Sequence, residues 1–275
     1  MEKIHDFSRR SPVLFSAAFT LLVILIHETL STLHVMLPKS TGLDIAFELL
    51  FIAWPAALVV IFGFSFIFRQ KGLLATIRAG MPLLLVYGFA IMGQIIRLVS
   101  DPCVEWKSAA EMVLGVIMLI GVGFREEVLF RGVVCNAIAR KYAHSAKGIW
   151  LTAIAAGAVF AALHLGNLFH GVALQSALIQ TFSAFGTGIL FCAIYLRGGS
   201  IWVMALIHST INAAGAVAVL FANGGDLASV INDTSGSAEL VFFLLNIPMV
   251  AYLLRKSKRQ KILERMQKLR DEILL

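Results

Sequence analysis

Three short stretches place ionisable side chains among apolar neighbours. They are Phe124-Arg125-Glu126-Glu127-Val128-Leu129-Phe130-Arg131, Phe160-Ala161-Ala162-Leu163-His164 and His208-Ser209-Thr210-Ile211-Asn212. Helical residues four apart share a face, so Glu127 can pair with Arg131, Phe160 lies over His164, and His208 aligns with Asn212. Pairing lowers the cost of keeping Glu127 and Arg131 away from water. Glu126 projects about 100° from Glu127 and has no such local partner. Its carboxylate is free to act beyond its own helix, as a general base must. Carboxylate and imidazole can activate water, while imidazole and amide can donate to a developing oxyanion. Glu126, His164, His208 and Asn212 therefore make a plausible hydrolytic site. The same groups could instead bind a divalent metal such as zinc, with Glu126, His164 and His208 as ligands. Each element alone has a bland reading. A lone His in an apolar helix is commonly a hydrogen-bonded packing residue, and a membrane Glu–Arg pair can be purely structural. Adjacent Glu126-Glu127 is less ordinary, because like charges repel strongly in low dielectric, and the combination carries the argument.

The elements that must position these groups are membrane helices. The chain has 275 residues, of which 59% are hydrophobic and only 14% charged, with a mean hydropathy of +0.86. A soluble domain carries about 25% charged residues, so most of this chain is not dissolved in water. A helix needs about 20 apolar residues to cross the hydrocarbon core. Candidate spans are 13–36, 45–68, 79–99, 109–139, 149–168, 172–196, 201–222 and 239–254. The expected fold is all-α and polytopic, with about eight transmembrane helices. The fourth span is long and charged, which predicts a tilt, a kink or a part outside the lipid. The first apolar run follows Lys3, Arg9 and Arg10 like a signal peptide, but continues without an A-x-A-like stop and reads as a retained span. Breakers fall between spans at Pro38, Asp101-Pro102, Gly198-Gly199 and Gly224-Gly225.

The net charge is +7, and its distribution tells more than its sum. One set of ends and connectors carries Lys3, Arg9, Arg10, Arg69, Lys71, Arg78, Arg140, Lys141, Lys147, Arg197 and the basic tail from Arg255. The alternate set has only Lys39 and Lys107, with Asp44, Asp101, Glu105, Asp226 and Asp233. The positive-inside rule then puts both termini in the cytoplasm. A nucleic-acid reader needs a basic face on a soluble module, and none is visible. Residues 1–254 form the membrane domain, with the motif-bearing core at about 109–222. The tail, 255–275, spaces Ile262, Met266, Leu269 and Ile273 helically among Lys and Arg, as an amphipathic helix lying on an anionic inner leaflet would. Cys103, Cys135 and Cys192 include no CxxC and predict no structural disulfide.

Glu126-Glu127-x-x-x-Arg131, Phe160-x-x-x-His164 and His208-x-x-x-Asn212 match, in order, the EExxxR, FxxxH and HxxxN motifs of the CPBP family, the CAAX-protease and bacteriocin-processing (Abi) enzymes. The chain resembles that family, and through it the type II CAAX prenyl endopeptidases, over roughly residues 120–215. The resemblance implies an eight-helix intramembrane protease acting on a peptide or membrane-protein substrate. It implies Glu126 as general base, His164 helping to activate water, and His208 and Asn212 stabilising the oxyanion. Glu127 and Arg131 would hold the site together, with Phe160 beside them. The mechanism could be metal-dependent or run on glutamate alone. The compact chain lacking organelle signals suggests a bacterial cell membrane. Rival readings are a non-enzymatic immunity or scaffold protein on the same fold and a proton-coupled transporter using Glu126 and Glu127, although no inverted repeat is visible.

Depth sets a further requirement. At about 1.5 Å per residue, His208 lies roughly 10 Å below the cytoplasmic end of its span, and Glu126 and His164 roughly 20 Å or more below theirs. A common site needs helix ends that dip into the membrane or a water-filled cavity open to the cytoplasm. His27-Glu28 and His34 have the wrong spacing for a zincin helix. Gly121, Gly123, Gly157, Gly186 and Gly188 predict close helix packing. Arg97 reads as a snorkelling interfacial residue, Gln175 and Gln180 as interhelical hydrogen-bonders, and Asn167 and His170 as interfacial.

Overall fold

The computed structural model describes residues 2–38, 40–69, 71–224, 227–233 and 236–273. Lys39, Gly225 and Asp226, and the side chains of Lys3 and Ile273, which enter the readings above, lie outside it. The helices are α1 (Glu2–Arg10), α2 (Pro12–Met36), α3 (Thr41–Ile61), α4 (Leu73–Ser100), α5 (Ala109–Glu127), α6 (Asn136–Tyr142), α7 (Ala146–Leu163), α8 (Leu174–Gly198), α9 (Ile201–Phe221), α10 (Leu227–Asp233), α11 (Gly236–Leu253) and α12 (Lys256–Ile273). Short 3-10 turns occupy Ser65–Arg69 and His164–His170, and Val128–Cys135 is π-helical. No strand occurs among the described residues, only an isolated bridge between Trp106 and Ala222.

Among the described residues six helices are long and apolar enough to cross a membrane, and a seventh span counts if α11 and α12, bent by 73°, are joined. The helix carrying Glu126 is excluded from that number by its charges, since Glu111, Arg125, Glu126 and Glu127 fall within α5. It runs unbroken through α5, the π segment and α6, so the expected kink is realised as a change of helix type. Its start is fixed by a capping box. The Ser108 Oγ accepts from the Glu111 N–H, and the Glu111 carboxylate accepts from the Ser108 N–H at 2.9 Å.

Glycines set the two contacts that matter most for the site. A Cβ at Gly123 would stand 2.9 Å from the backbone nitrogen of Ser209 and 3.0 Å from the Ala205 carbonyl oxygen, so α5 and α9 meet backbone to backbone there. A Cβ at Gly188 would stand 2.9 Å from the Gly157 Cα, which locks α7 against α8 in the same way.

The α8–α9 turn leads directly into the helix that carries His208. Gly199 takes a left-handed φ of +97°, ending α8 as a glycine cap. Gly198, Gly199 and Ser200 are all buried. The start of α4 covers them: the Thr76 hydroxyl accepts from the Ser200 N–H at 3.0 Å, and the Ser200 Oγ caps α9 by accepting from Val203.

The tail departs from expectation. It is helical, but Ile262, Met266 and Leu269 are only 1%, 2% and 8% exposed. That stripe is covered by the protein's own α6 and α8. Arg265 explains the docking, since its guanidinium donates to the Tyr195 and Leu196 carbonyls at the C-terminal end of α8.

Candidate active site

The three motifs converge. Glu126 and Glu127 end α5, His164 opens the 3-10 turn after α7, and His208 lies two turns into α9. Glu127 is fully buried and sits between two partners: Arg131 at 2.9 Å and the His208 Nδ1 at 2.7 Å. Arg131 itself is 2% exposed and lies between two rings, 4.4 Å from the Phe160 centroid and 4.8 Å from that of Phe191. Those faces replace water with π density, which suits a desolvated cation. The Arg131–Glu127 contact is close in distance but not aligned as a hydrogen bond, because both terminal nitrogens of Arg131 lack an in-line acceptor. Charge attraction rather than bidentate geometry holds this pair.

The ring nitrogens are sorted by their partners. A carboxylate paired with arginine accepts, so the His208 Nδ1 donates to Glu127, and its Nε2 faces the Glu126 Oε2 at 3.7 Å. The His164 Nδ1 contacts the Phe160 carbonyl at 3.1 Å. A carbonyl only accepts, so His164 donates there and its Nε2 is left as the available base or acceptor. Glu126 lies within electrostatic reach of His208, His164, Arg125 and Arg131. Its Oε2 is buried and makes no hydrogen bond. A gap of 3.7 Å between an uncommitted carboxylate oxygen and an imidazole nitrogen is longer than a hydrogen bond and leaves both groups facing a common reactant.

Phe160 packs edge-on to His164 at 4.9 Å and to His208 at 6.0 Å between centroids. It thus fixes both imidazoles as well as Arg131. Asn212 lies one turn beyond His208 on α9 and is half-buried.

Several expectations require adjustment. The spacing predicts the Glu127–Arg131 pair, and the structure adds His208 as a second partner of Glu127. Among the described residues no three His, Cys, Asp or Glu side chains stand close enough together to hold an ion, and the expectation of Glu126, His164 and His208 as metal ligands is left as it stood. The His208 Nδ1 is committed to Glu127, which leaves its Nε2 facing Glu126. Two cavities, of about 430 and 440 Å³, are lined by residues other than these motif groups, so neither is the water-filled cavity expected at the site. Outside the site, Glu28 pairs with His170 at 3.1 Å and His34 with Asp44 at 2.9 Å. Gln180 accepts from Asn167 across helices at 2.6 Å.

Three contributors, Phe191, Asn136 and Tyr195, escape motif reading. Phe191 is the second ring over Arg131 and packs at 5.2 Å from His208. The Asn136 Nδ2 lies 2.9 Å from the Arg131 and Gly132 carbonyls and 2.9 Å from the Tyr195 hydroxyl. It thereby meets acceptors that the π turn displaces from ordinary helix bonding. An Asn after an apolar run was the only available signal, and it is weak.

Residues 108–214 match the family model of the Rce1-like type II CAAX prenyl endopeptidases. No curated protein and no solved structure gives a significant match to the chain. The matched segment holds all three motifs and bears out the resemblance read from them. It supports intramembrane protease activity in general, in a multi-pass membrane protein.

Proposed function

We propose that the protein is an intramembrane endopeptidase that hydrolyses a peptide bond of a membrane-associated or lipid-modified substrate, with Glu126 as general base. The observation that carries this reading is the buried Glu126 Oε2, which makes no hydrogen bond and stands 3.7 Å from the His208 Nε2. Water held between Glu126 and the His164 Nε2 gives a proton to the carboxylate as its oxygen attacks the scissile carbonyl carbon. The carbonyl π pair moves to oxygen, and that oxyanion is met by the His208 Nε2–H and the Asn212 amide. Glu127, anchored by Arg131, stabilises the imidazolium that supplies the proton-bearing nitrogen. Collapse re-forms the carbonyl and breaks the C–N bond, and Glu126 returns its proton to the leaving amine.

The test compares wild type with Glu126→Gln in lipid nanodiscs, at matched thermal stability. New peptide termini are catalogued from a membrane-protein substrate pool. A general base contributes about 10²–10⁴-fold, so specific cleavages should fall by that factor. Identical termini from both proteins would refute the catalytic assignment and favour a scaffold or immunity role.

A further inference from the structure

At the basic end of the bundle a cavity of about 430 Å³ opens between α4, α8, α11 and α12. Arg78, Arg197, Lys258 and Lys261 line it, and no Asp or Glu does. The size falls within the range of about 300–1,000 Å³ usual for ligand sites. Cations that merely snorkel diverge into water, and like charges gathered round one concavity repel. The fold gathers them nonetheless. The 73° bend between α11 and α12 turns the tail back over α8, and the Arg197 guanidinium donates to the Lys258 carbonyl at 3.2 Å.

The rest of the wall is Ala75, Ala79, Pro82, Met249, Leu253 and Tyr252, apolar except for the tyrosine hydroxyl. Further along the same helices, Tyr87 of α4 stacks on Phe242 of α11 with centroids 5.9 Å apart. Tyr87 is about 14 Å along the helix axis from Arg78. Between the cavity and that ring pair the two helices carry exposed apolar side chains such as Val86 and Leu245, 55% and 61% exposed. A free phosphate would leave the apolar wall unused, and a neutral lipid would leave the cations uncompensated.

We propose that this cavity binds the headgroup of an anionic phospholipid. Its phosphate sits among Arg78, Arg197, Lys258 and Lys261, and its acyl chains run along the α4–α11 seam. The site is separate from Glu126, His164 and His208 and does not depend on the endopeptidase reading. Occupancy fastens α12 to the helices it bends over.

The full chain is reconstituted in nanodiscs of phosphatidylcholine, with or without phosphatidylglycerol. It is compared with Arg78→Gln/Lys261→Gln, and with Lys256→Gln/Lys268→Gln, which removes equal charge at exposed positions outside the cavity. Native mass spectrometry measures retained phosphatidylglycerol, and thermal unfolding measures stabilisation. Wild type and Lys256→Gln/Lys268→Gln should each retain one phosphatidylglycerol and unfold at a higher temperature in its presence. Arg78→Gln/Lys261→Gln should bind about 30-fold more weakly. Equal weakening in both double variants would overturn the site in favour of diffuse surface attraction. Stabilisation by millimolar inorganic phosphate in phosphatidylcholine discs, matching that by phosphatidylglycerol, would overturn the lipid assignment. If Arg78→Gln/Lys261→Gln does not fold, Arg78→Gln alone, expected to be about fivefold weaker, decides by the same comparison.

Discussion

Replacing Arg131 by Met tests whether the buried triad is an electrostatic unit. Arg131 and Glu127 are 2% and 0% exposed and stand 2.9 Å apart. Removing the cation leaves a carboxylate in low dielectric, which costs about 3–5 kcal/mol when one partner of a buried pair is lost. Contacts with the Phe160 and Phe191 rings add about 2 kcal/mol when desolvated. Arg131→Met should therefore lose about 5 kcal/mol or more. Adding Glu127→Gln removes the stranded charge while keeping an amide oxygen for the His208 Nδ1. The double variant should then recover all but the ring contacts and fall only about 2 kcal/mol below wild type. Equilibrium unfolding by SDS titration in mixed micelles measures both. If the two losses simply add, so that the double variant is less stable than Arg131→Met alone, the stranded-charge account is refuted. Cleavage should stay low in the double variant despite regained stability, because the neutral amide no longer stabilises an imidazolium at His208.

Other expectations follow from packing and exposure. Gly123→Ala puts a Cβ against the backbone of Ser209 and Ala205 and should lower stability by about 1–3 kcal/mol together with cleavage. Gly88→Ala meets nothing within 4 Å and should be neutral or stabilising by up to about 1 kcal/mol; equal effects of the two in thermal unfolding would refute the close-contact reading. A membrane-permeant maleimide should label Cys103, which is exposed, while Cys135 and Cys192 stay protected until unfolding; mass spectrometry of the native adduct reads this directly. Cleavage by purified protein should persist after exhaustive chelation, and a loss reversed by added zinc would assign a metal to the site.

Much of this architecture was legible in the sequence because its signals are local. Apolar length gives the spans, four-residue spacing gives Glu127 with Arg131, and the order of the motifs gives the segment that the family match covers. What crosses between helices was not legible. The Glu127–His208 bond joins residues 81 positions apart, and nothing in either motif states that the imidazole meets the second carboxylate rather than only the first. The tail misled for a different reason. An apolar stripe among basic residues has the same pattern whether it covers lipid or protein, and only the Arg265 contacts with the end of α8 decide between them. The π segment was hidden because its widened turn is held by Asn136 and Tyr195, which lie 59 positions apart.

The π turn also determines where the chain can change length. A residue removed from α5 ahead of Glu126 would swing both carboxylates about 100° away from α9, with no slack to absorb the error. A residue removed between Arg131 and Cys135 meets a different fate. The segment already bonds five residues apart instead of four, so it can tighten to an ordinary helix while Glu126 and Glu127 keep their aim. Downstream, Arg140 would still face the Phe64 and Phe66 rings that it now covers at 4.5 and 4.9 Å. The helix therefore holds spare chain on the C-terminal side of its carboxylates and none on the other. Insertions and deletions among descendants of this sequence should be purged from one half of a single continuous helix and tolerated in the other.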